Sequence, residues 1–380
     1  MRLLVLSAHP EMSPATRFRA CAYFDAFRDA GIEVDYQPFL TSPERKRLHG
    51  ALTPMQVRDL GFALVRRIFL SARAKKYDVV FVQREAMLVG PPLMERLLVS
   101  LGVPLVYDLD DAVWLHSEPI AGSFRARYPR IGDFIRAPAK GNELITLASE
   151  VTTGSERLAA HAVRMNSNVT VIPTVTDLEV WKPKAGRSPG DIMHEVPIIG
   201  WIGTPSTAPS LALVDGVLGR LRREGHAFRV VTRGVGTGYT FEHVEAENLP
   251  WREKEEPDDF ADIDIGIAPM RKDEWSNGKC AFKQIQYLTV GIPCVTSRAG
   301  SVDEFLVHGE NALIADDEEG FYAHIKALLV DHALRARLVR SGRKVIENKY
   351  CLAAQAPRFI EVLERAARAP RQDRETRAYA

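Results

Sequence analysis

The sequence predicts an α/β protein built from two Rossmann-like domains facing a cleft, and three observations carry that prediction. Short, continuous apolar runs such as Leu3, Leu4, Val5 and Leu6 alternate with longer amphipathic segments along the whole chain. That order is expected of parallel strands covered by helices on both faces. The chain has 380 residues, too many for one ordinary core and enough for two domains of about 150–200 residues each. The alternation also stops in the proline- and glycine-rich stretch 173–197, which reads as a linker, and then restarts.

Taken in order, residues 2–7 read as a strand and 16–30 as one helix closed by Gly31. Strands at 32–38, 79–82, 105–107, 151–152 and 169–172 complete a first sheet. The pattern resumes with strands at 198–202, 228–232, 263–268, 293–296 and 312–314, and with helices at 318–330 and 333–350. A last helix, 352–368, is apolar on one face through Phe359, Val362, Leu363 and Ala366. The expected plan is one domain at 1–175, a second at 176–351, the helix 352–368 and a tail at 369–380. That tail is charged and lacks large aliphatic residues, so it is expected to be disordered. Residues 55–76 form a long helix in which Arg58, Arg66, Arg67, Arg73, Lys75 and Lys76 accompany Phe62, Leu64, Val65, Ile68, Phe69 and Leu70. Such a helix either covers the first sheet or lies on an anionic membrane surface.

Composition excludes several classes. A formal net charge of +1 argues against general nucleic-acid binding. The four cysteines, Cys21, Cys280, Cys294 and Cys351, show no C-x-x-C pair and no metal spacing, as expected of small buried side chains in a reducing compartment. No apolar run reaches the roughly 20 residues needed to span a bilayer, and a cytoplasmic protein, at most peripheral to the membrane, is expected. Neither a G-x-S-x-G turn nor the carboxylate pair of a glycoside hydrolase is visible.

The richest stretch is 279–311. An amphipathic helix sets Phe282, Ile285 and Leu288 against Lys283, Gln284 and Gln286, then turns at Gly291, Ile292 and Pro293. A short strand (Cys294, Val295, Thr296) leads to Gly300, and Ser301 with Glu304 has the spacing of a capping box. A strand ending beside helix N-termini offers free backbone N–H groups to an anionic ligand. Lys279 and Lys283, four residues apart, share a helix face in this reading and would neutralise a diphosphate. Gly203, Thr204 and Ser206 form a glycine–hydroxyl turn after the first strand of the second half. Its hydroxyls either contact phosphate or, for Ser206, cap a helix. Arg233 follows another strand and opens Gly234-x-Gly236-x-Gly238, which lacks the dinucleotide spacing but fits a phosphate clamp.

In the first half, Asp108, Asp110 and Asp111 follow a strand; acceptor contact or general-base work, helix capping and metal binding all remain open for them. Arg17 and Arg19 sit at the first strand-to-helix turn, either solvated or facing an anionic group. His9, His116 and Glu118 are further candidates for the same edge.

The ordered set Lys283, Gln286, Tyr287, Leu288, Gly291, Pro293 and Val295, followed by Gly300, Glu304, His308, Gly309, Asn311 and Leu313, resembles the donor-sugar region of retaining GT-B glycosyltransferases of family 4. Those enzymes show K-x-x-E-Y-M-A-x-G-x-P-V-V, a glycine-bearing loop, a glutamate and H-G-x-N-G-x-L. The paired glutamates of that pattern are replaced here by Gly278 and Gln286. The resemblance implies two Rossmann-like domains, with the nucleotide sugar on the donor domain 176–351, the acceptor on the acceptor-side domain 1–175, and the helix 352–368 crossing back to the first. It implies transfer with retention, and neither a metal nor a cofactor, since the nucleotide sugar is a substrate. It assigns leaving-group stabilisation to Lys283, Lys279 and Arg233, with Asp110 and Asp111 opposite. Donor binding would fall to Gly203, Thr204, Ser206, Gln286 (at the ribose), Tyr287, Gly300 and Glu304, and acceptor contact to Arg17, Arg19 and His116. A nucleotide-sugar epimerase and a non-catalytic nucleotide-sugar-binding protein are the alternatives on the same scaffold.

Overall fold

The computed structural model of the protein describes residues 1–47, 53–115, 137, 139–236 and 238–369. Two compact units divide the chain: Met1–Thr174 with the stretch from Gln355 onward, and Val175–Ala354.

The first unit holds six parallel strands, β1 (Arg2–Ser7), β2 (Glu33–Pro38), β3 (Val79–Gln83), β4 (Leu105–Leu109), β5 (Glu150–Thr153) and β6 (Val169–Val171). They lie in the order β2-β1-β3-β4-β5-β6. Every residue of β3, β4 and β5 is buried, which is why these strands read as unbroken apolar runs rather than as alternations. The helix Leu352–Arg368 completes this core. Phe359 packs edge-on against Tyr23, Phe27 and Phe81 at 4.9, 5.4 and 5.2 Å between ring centroids, and Val362, Leu363 and Ala366 are buried beside it.

The second unit holds β7 (Ile198–Ile202), β8 (Arg229–Arg233), β9 (Ala246–Leu249), β10 (Ile265–Ala268), β11 (Cys294–Ser297) and β12 (Leu313–Ala315). This sheet is also parallel, in the order β12-β11-β10-β7-β8-β9. In both sheets the strand order reverses once, between β1 and β3 and between β7 and β10. The connections there leave in opposite directions and open a crevice at the carboxyl ends of the strands, where α/β proteins hold ligands.

Three expectations need correction, and one strand was missed. Residues 16–30 are not one helix but Pro14–Arg19, a 3-10 turn Cys21–Tyr23 and Phe24–Asp29; Ala20 leaves helical geometry directly after Arg19, whose side chain is committed to the core. The stretch 173–197 is no free linker. Trp181 is buried, and fully buried Asp264 accepts hydrogen bonds from Arg187 (2.9 Å) and from the backbone N–H groups of Met193 (2.8 Å) and Ile198 (3.0 Å). Its proline and glycine content marks irregular backbone, not an absence of packing. The helix read at 333–350 runs His332–Val345 and closes in a π turn, Ile346–Tyr350. The edge strand β9 escapes sequence reading because Ala246, Glu247, Asn248 and Leu249 bury nothing completely and carry no apolar run.

The basic amphipathic helix spans Pro54–Ser71, opened by a capping box between Thr53 and Gln56, and a 3-10 turn Ala74–Lys76 follows. Among the described residues no helix is long and apolar enough to cross a membrane. His116, Glu118 and the tail from residue 370 lie outside the described residues.

Candidate functional site

At the β7/β10 reversal, β7 ends at Ile202 and the chain turns at Gly203. A Cβ there would lie 2.4 Å from the Trp201 ring and 3.0 Å from the Lys283 ammonium, so only glycine lets these two groups meet. Lys283 Nζ sits 4.3 Å from the Trp201 ring centroid, a cation–π contact. Beyond the turn, Thr204 and Ser206 are exposed with their hydroxyls 2.9 Å apart. The following 3-10 helix, Ala208–Leu211, has Thr207 as its N-cap, so Ser206 is left uncommitted to capping. The strand β8 supports the turn from the side, where Gly203 N–H donates to the Arg233 carbonyl at 3.1 Å.

Lys279 and Lys283 reach this edge by separate routes, contrary to the shared helix face expected from their spacing. A short helix, Glu274–Asn277, ends at Gly278. The next helix, Phe282–Thr289, begins only after Ala281, whose φ of 50° is left-handed and reverses the chain. Lys279 is fixed by its carbonyl, which accepts from Ser301 N–H at 3.0 Å and Ser301 Oγ at 3.2 Å. Gly300 makes this possible: its φ is 68°, and a Cβ there would fall 2.5 Å from the Lys279 oxygen. Lys279 Nζ lies 5.1 Å from the Trp275 ring centroid. Among the described residues neither ammonium has a hydrogen bond or a carboxylate partner. Half-burial, and then the neighbouring charge of Lys279, push Lys283 down to about 7.

Several sequence candidates do other work. Tyr287 is fully buried, and its hydroxyl lies 3.1 Å from the carbonyls of Gly200 in β7 and Ile267 in β10, tying together the two strands that flank the reversal. It belongs to the core, not to a ligand. Gln286 is buried as well, with its amide donating to Glu256 Oε1 at 3.4 Å. Arg233 pairs with Asp259 at 3.1 Å, so much of its charge is already neutralised. The capping box read at Ser301 and Glu304 does not form: Val302–Glu304 is a 3-10 turn without a side-chain cap, and Glu304 is half-buried at its end. His308 and Asn311 close their own loop. His308 Nδ1 accepts from Ile314 N–H at 3.0 Å, and Asn311 bonds the backbone of Phe305 and Val307.

The corresponding edge of the first unit is also charged, and there Arg19 and Arg84 are paired with carboxylates. Arg19 is wholly buried, donating to Asp108 (Nε–Oδ2 3.1 Å) and to the Ile172 carbonyl, while Thr152 Oγ1 donates to Asp108 at 2.7 Å. The expectation that Arg19 greets a ligand is therefore wrong. Arg84 follows β3 in a left-handed conformation (φ 61°) and holds both Asp110 (Nη2–Oδ2 3.0 Å) and Asp111 (3.2 Å). Burial raises the Asp110 carboxyl, but the Arg84 charge and hydrogen bond outweigh it and hold it below the usual carboxylate range. Arg17 is half-buried with its guanidinium 4.8 Å from the Phe18 ring centroid. His9, just beyond β1, is pushed down to about 4 by burial and by Arg45 and Arg84, and so stays neutral at pH 7.

The aromatic seats Trp201 and Trp275 and the carboxylates Glu256 and Asp259 were not singled out by sequence pattern. Arg84 could have been, since it follows β3 as Arg233 ends β8. A separate groove of about 690 Å³, lined by Thr232, Val235, Tyr239, His243 and Asn248, does not include the lysines.

Comparison with known proteins adds two findings. Residues 199–331 match a family model described as "Glycosyl transferases group 1". Solved structures match over nearly the whole chain. Anabaena HepE, solved with UDP and glucose, is 14% identical over 96% of this chain and 99% of its own, with a TM-score of 0.65. A glycosyltransferase from Rickettsia africae is 13% identical over 97% and 98%, with a TM-score of 0.65. Sucrose-phosphate synthase from Thermosynechococcus elongatus is 12% identical over 96% and 98%, also with 0.65. A search of curated proteins by sequence finds no match. At these identities the structural likeness is one of fold, and it is the GT-B fold of glycosyltransferases that the sequence resembles.

Proposed function

We propose that this GT-B chain is a glycosyltransferase that moves a sugar from a nucleotide-sugar donor to an acceptor, with the donor on the second unit. One observation carries the reading. Two ammonium groups, Lys279 and Lys283, rest on aromatic faces at the strand-order reversal of the donor sheet, with no counter-charge among the described residues. A cation left without a partner is costly unless a ligand supplies the anion, and the diphosphate of a nucleotide sugar supplies it. The same charges stabilise the diphosphate as it departs, so they act on the transition state more than on the ground state. The exposed hydroxyls of Thr204 and Ser206 complete the phosphate contacts from the β7 side.

The ribose acceptor that relatives place at position 286 is an amide here, but a carboxylate stands beside it: Glu256 lies 3.4 Å from the Gln286 amide. Glu256 is the residue we assign to the ribose hydroxyls. On the first unit, Asp110, Asp111 and neutral His9 are the groups able to orient an acceptor or take its proton. Reaction without metal is supported by the Arg84 pairing, which commits one positive charge and its hydrogen bonds to Asp110 and Asp111. Retention of configuration follows the family pattern around Lys283.

UDP, the nucleotide held by HepE, is the first probe. Lys283→Ala should weaken UDP binding at least tenfold, since charge-assisted contacts contribute about 1.5–3 kcal/mol. Circular dichroism should be unchanged. Unaltered affinity for UDP and for other nucleoside diphosphates in titration calorimetry overturns the donor-site assignment. Incubating the enzyme with a nucleotide sugar and no acceptor then separates transfer from epimerisation by product analysis.

A further inference from the structure

The helix Pro54–Ser71 is built inside out. Its buried residues are Gln56, Asp59, Ala63, Arg67 and Ser71, four of them polar. Arg67 alone donates to three carbonyls, Ser7 (3.0 Å), Gln37 (2.7 Å) and Ala86 (2.9 Å), which clamps the helix to the carboxyl ends of β1 and β2. The large apolar residues point the other way: Val57 is 56% exposed, Phe62 58%, Leu64 45%, Val65 46%, Ile68 59% and Phe69 71%. A helix that merely covers a sheet buries its apolar face. This one spends its polar face on the protein and offers the apolar face to something else.

The ionised residues of the exposed face decide what that partner is. Besides Gly61, Pro54 and apolar side chains, the exposed positions of the helix hold only arginines, Arg58 and Arg66. Arg73, Lys75 and Lys76 continue the exposed positive charge just beyond its end, and Lys46 stands exposed on the preceding helix, Ser42–Arg47. The one carboxylate in the helix, Asp59, is turned inward and held by Arg47 (2.7 Å) and Arg58 (3.3 Å). A second copy of the chain fits poorly, because a two-fold contact through this face would bring the exposed cations of both copies together, while the carboxylates beside them, Asp59 and Glu44 (2.8 Å from Arg66), are already held by arginines of the same chain. An apolar stripe whose exposed charges, on the helix and just beyond it, are all cations matches the boundary between acyl chains and anionic headgroups, where amphipathic helices lie in the plane of the bilayer.

We propose that the exposed face of Pro54–Ser71 docks the first unit on an anionic lipid surface, with Phe62, Val65, Ile68 and Phe69 entering the acyl boundary and the arginines and lysines meeting headgroup phosphates. The full chain should co-sediment with phosphatidylcholine vesicles containing phosphatidylglycerol, and roughly tenfold less well with phosphatidylcholine alone or at high salt. The triple substitution Phe62→Ser, Ile68→Ser, Phe69→Ser replaces exposed side chains only. It should lower vesicle binding roughly tenfold or more with melting temperature and UDP affinity unchanged. Should the triple variant fold badly, Arg73→Gln with Lys75→Gln provides the second arm: binding to anionic vesicles falls and the residual binding to neutral ones does not. Absence of vesicle binding by the intact protein overturns the proposal, as does binding that neither set of substitutions alters. A dimer in analytical ultracentrifugation that the triple variant dissociates, with no vesicle binding, overturns it in favour of self-association.

Discussion

The two sheets carry charge at equivalent carboxyl-terminal edges and use it in opposite ways. In the first unit Arg19 holds Asp108, Arg84 holds Asp110 and Asp111, and Arg67 is met by three backbone carbonyls. In the second, Lys279 and Lys283 face tryptophan rings and one another. Paired, buried charge serves the fold, because removing either partner strands the other in a medium of low dielectric constant. Unpaired charge burdens the free protein, and in the proposed function the donor diphosphate relieves it. The contrast separates structural from functional charge by partner rather than by residue type, and substitutions can break it from either side.

The largest effect belongs to the first unit. Asp108→Ala leaves the Arg19 guanidinium wholly buried without its carboxylate, and Thr152 loses its acceptor. Breaking a buried pair in this way costs about 3–5 kcal/mol, so urea denaturation should show a much lower midpoint or no folded protein at all. A loss below about 1 kcal/mol, the range of surface pairs, would place this pair in solvent and erase the contrast.

Lys283 should behave in the opposite sense, and pH reveals it. Its ammonium is held at about 7 in the folded protein against an ordinary value of 10.5. The unfolded chain therefore binds more protons between those values, and stability of the free protein should rise with pH across that window. A bound diphosphate favours the ammonium, so binding takes up a proton and affinity should fall as pH rises above about 7. Titrating UDP at pH 8 in two buffers of different ionisation enthalpy measures the uptake directly. Lys283→Ala should abolish both slopes; proton uptake that survives in that variant assigns the titration to another group.

Much of this was legible in the sequence, and the failures share a cause. Strands such as β3 and β7 are buried along their whole length and announce themselves by composition. The stretch proposed here as the donor site stood out because Lys283, Gly300 and Glu304 recur in a known order. Spacing alone misplaced Lys279, since one left-handed residue, Ala281, cancels the helical periodicity on which four-residue spacing depends. Arg19 was misread because its partner is 89 residues away, and no local pattern records such a contact. Tyr287, His308 and Asn311 show that a motif also holds residues whose work is to build the core and close the loop.

Gln286 gives the smallest effect and the sharpest test. Judged by sequence, Gln286→Glu restores the carboxylate that relatives carry and should tighten binding of ribonucleotides. The structure reverses the sign. Gln286 is 5% exposed, and its amide donates to Glu256. A glutamate there sets two carboxylates at hydrogen-bond distance, which can remain together only by sharing a proton. The single substitution should lower stability by about 1 kcal/mol near neutral pH, within the cost of an unmet buried hydrogen bond, and the deficit should shrink in acid as one carboxylate is protonated. Exchanging the pair, Gln286→Glu with Glu256→Gln, restores one amide facing one carboxylate. The double variant should therefore be more stable than the sum of the single changes predicts, which a double-mutant cycle in urea measures. The exchange also moves the negative charge from Glu256 to position 286, so the preference for UDP over 2′-deoxy-UDP reports which position meets the ribose. If Glu256→Gln alone removes that preference and the exchange does not return it, the ribose carboxylate is Glu256. If the exchange returns it in full, position 286 faces the nucleotide after all, and the assignment of Glu256 is lost.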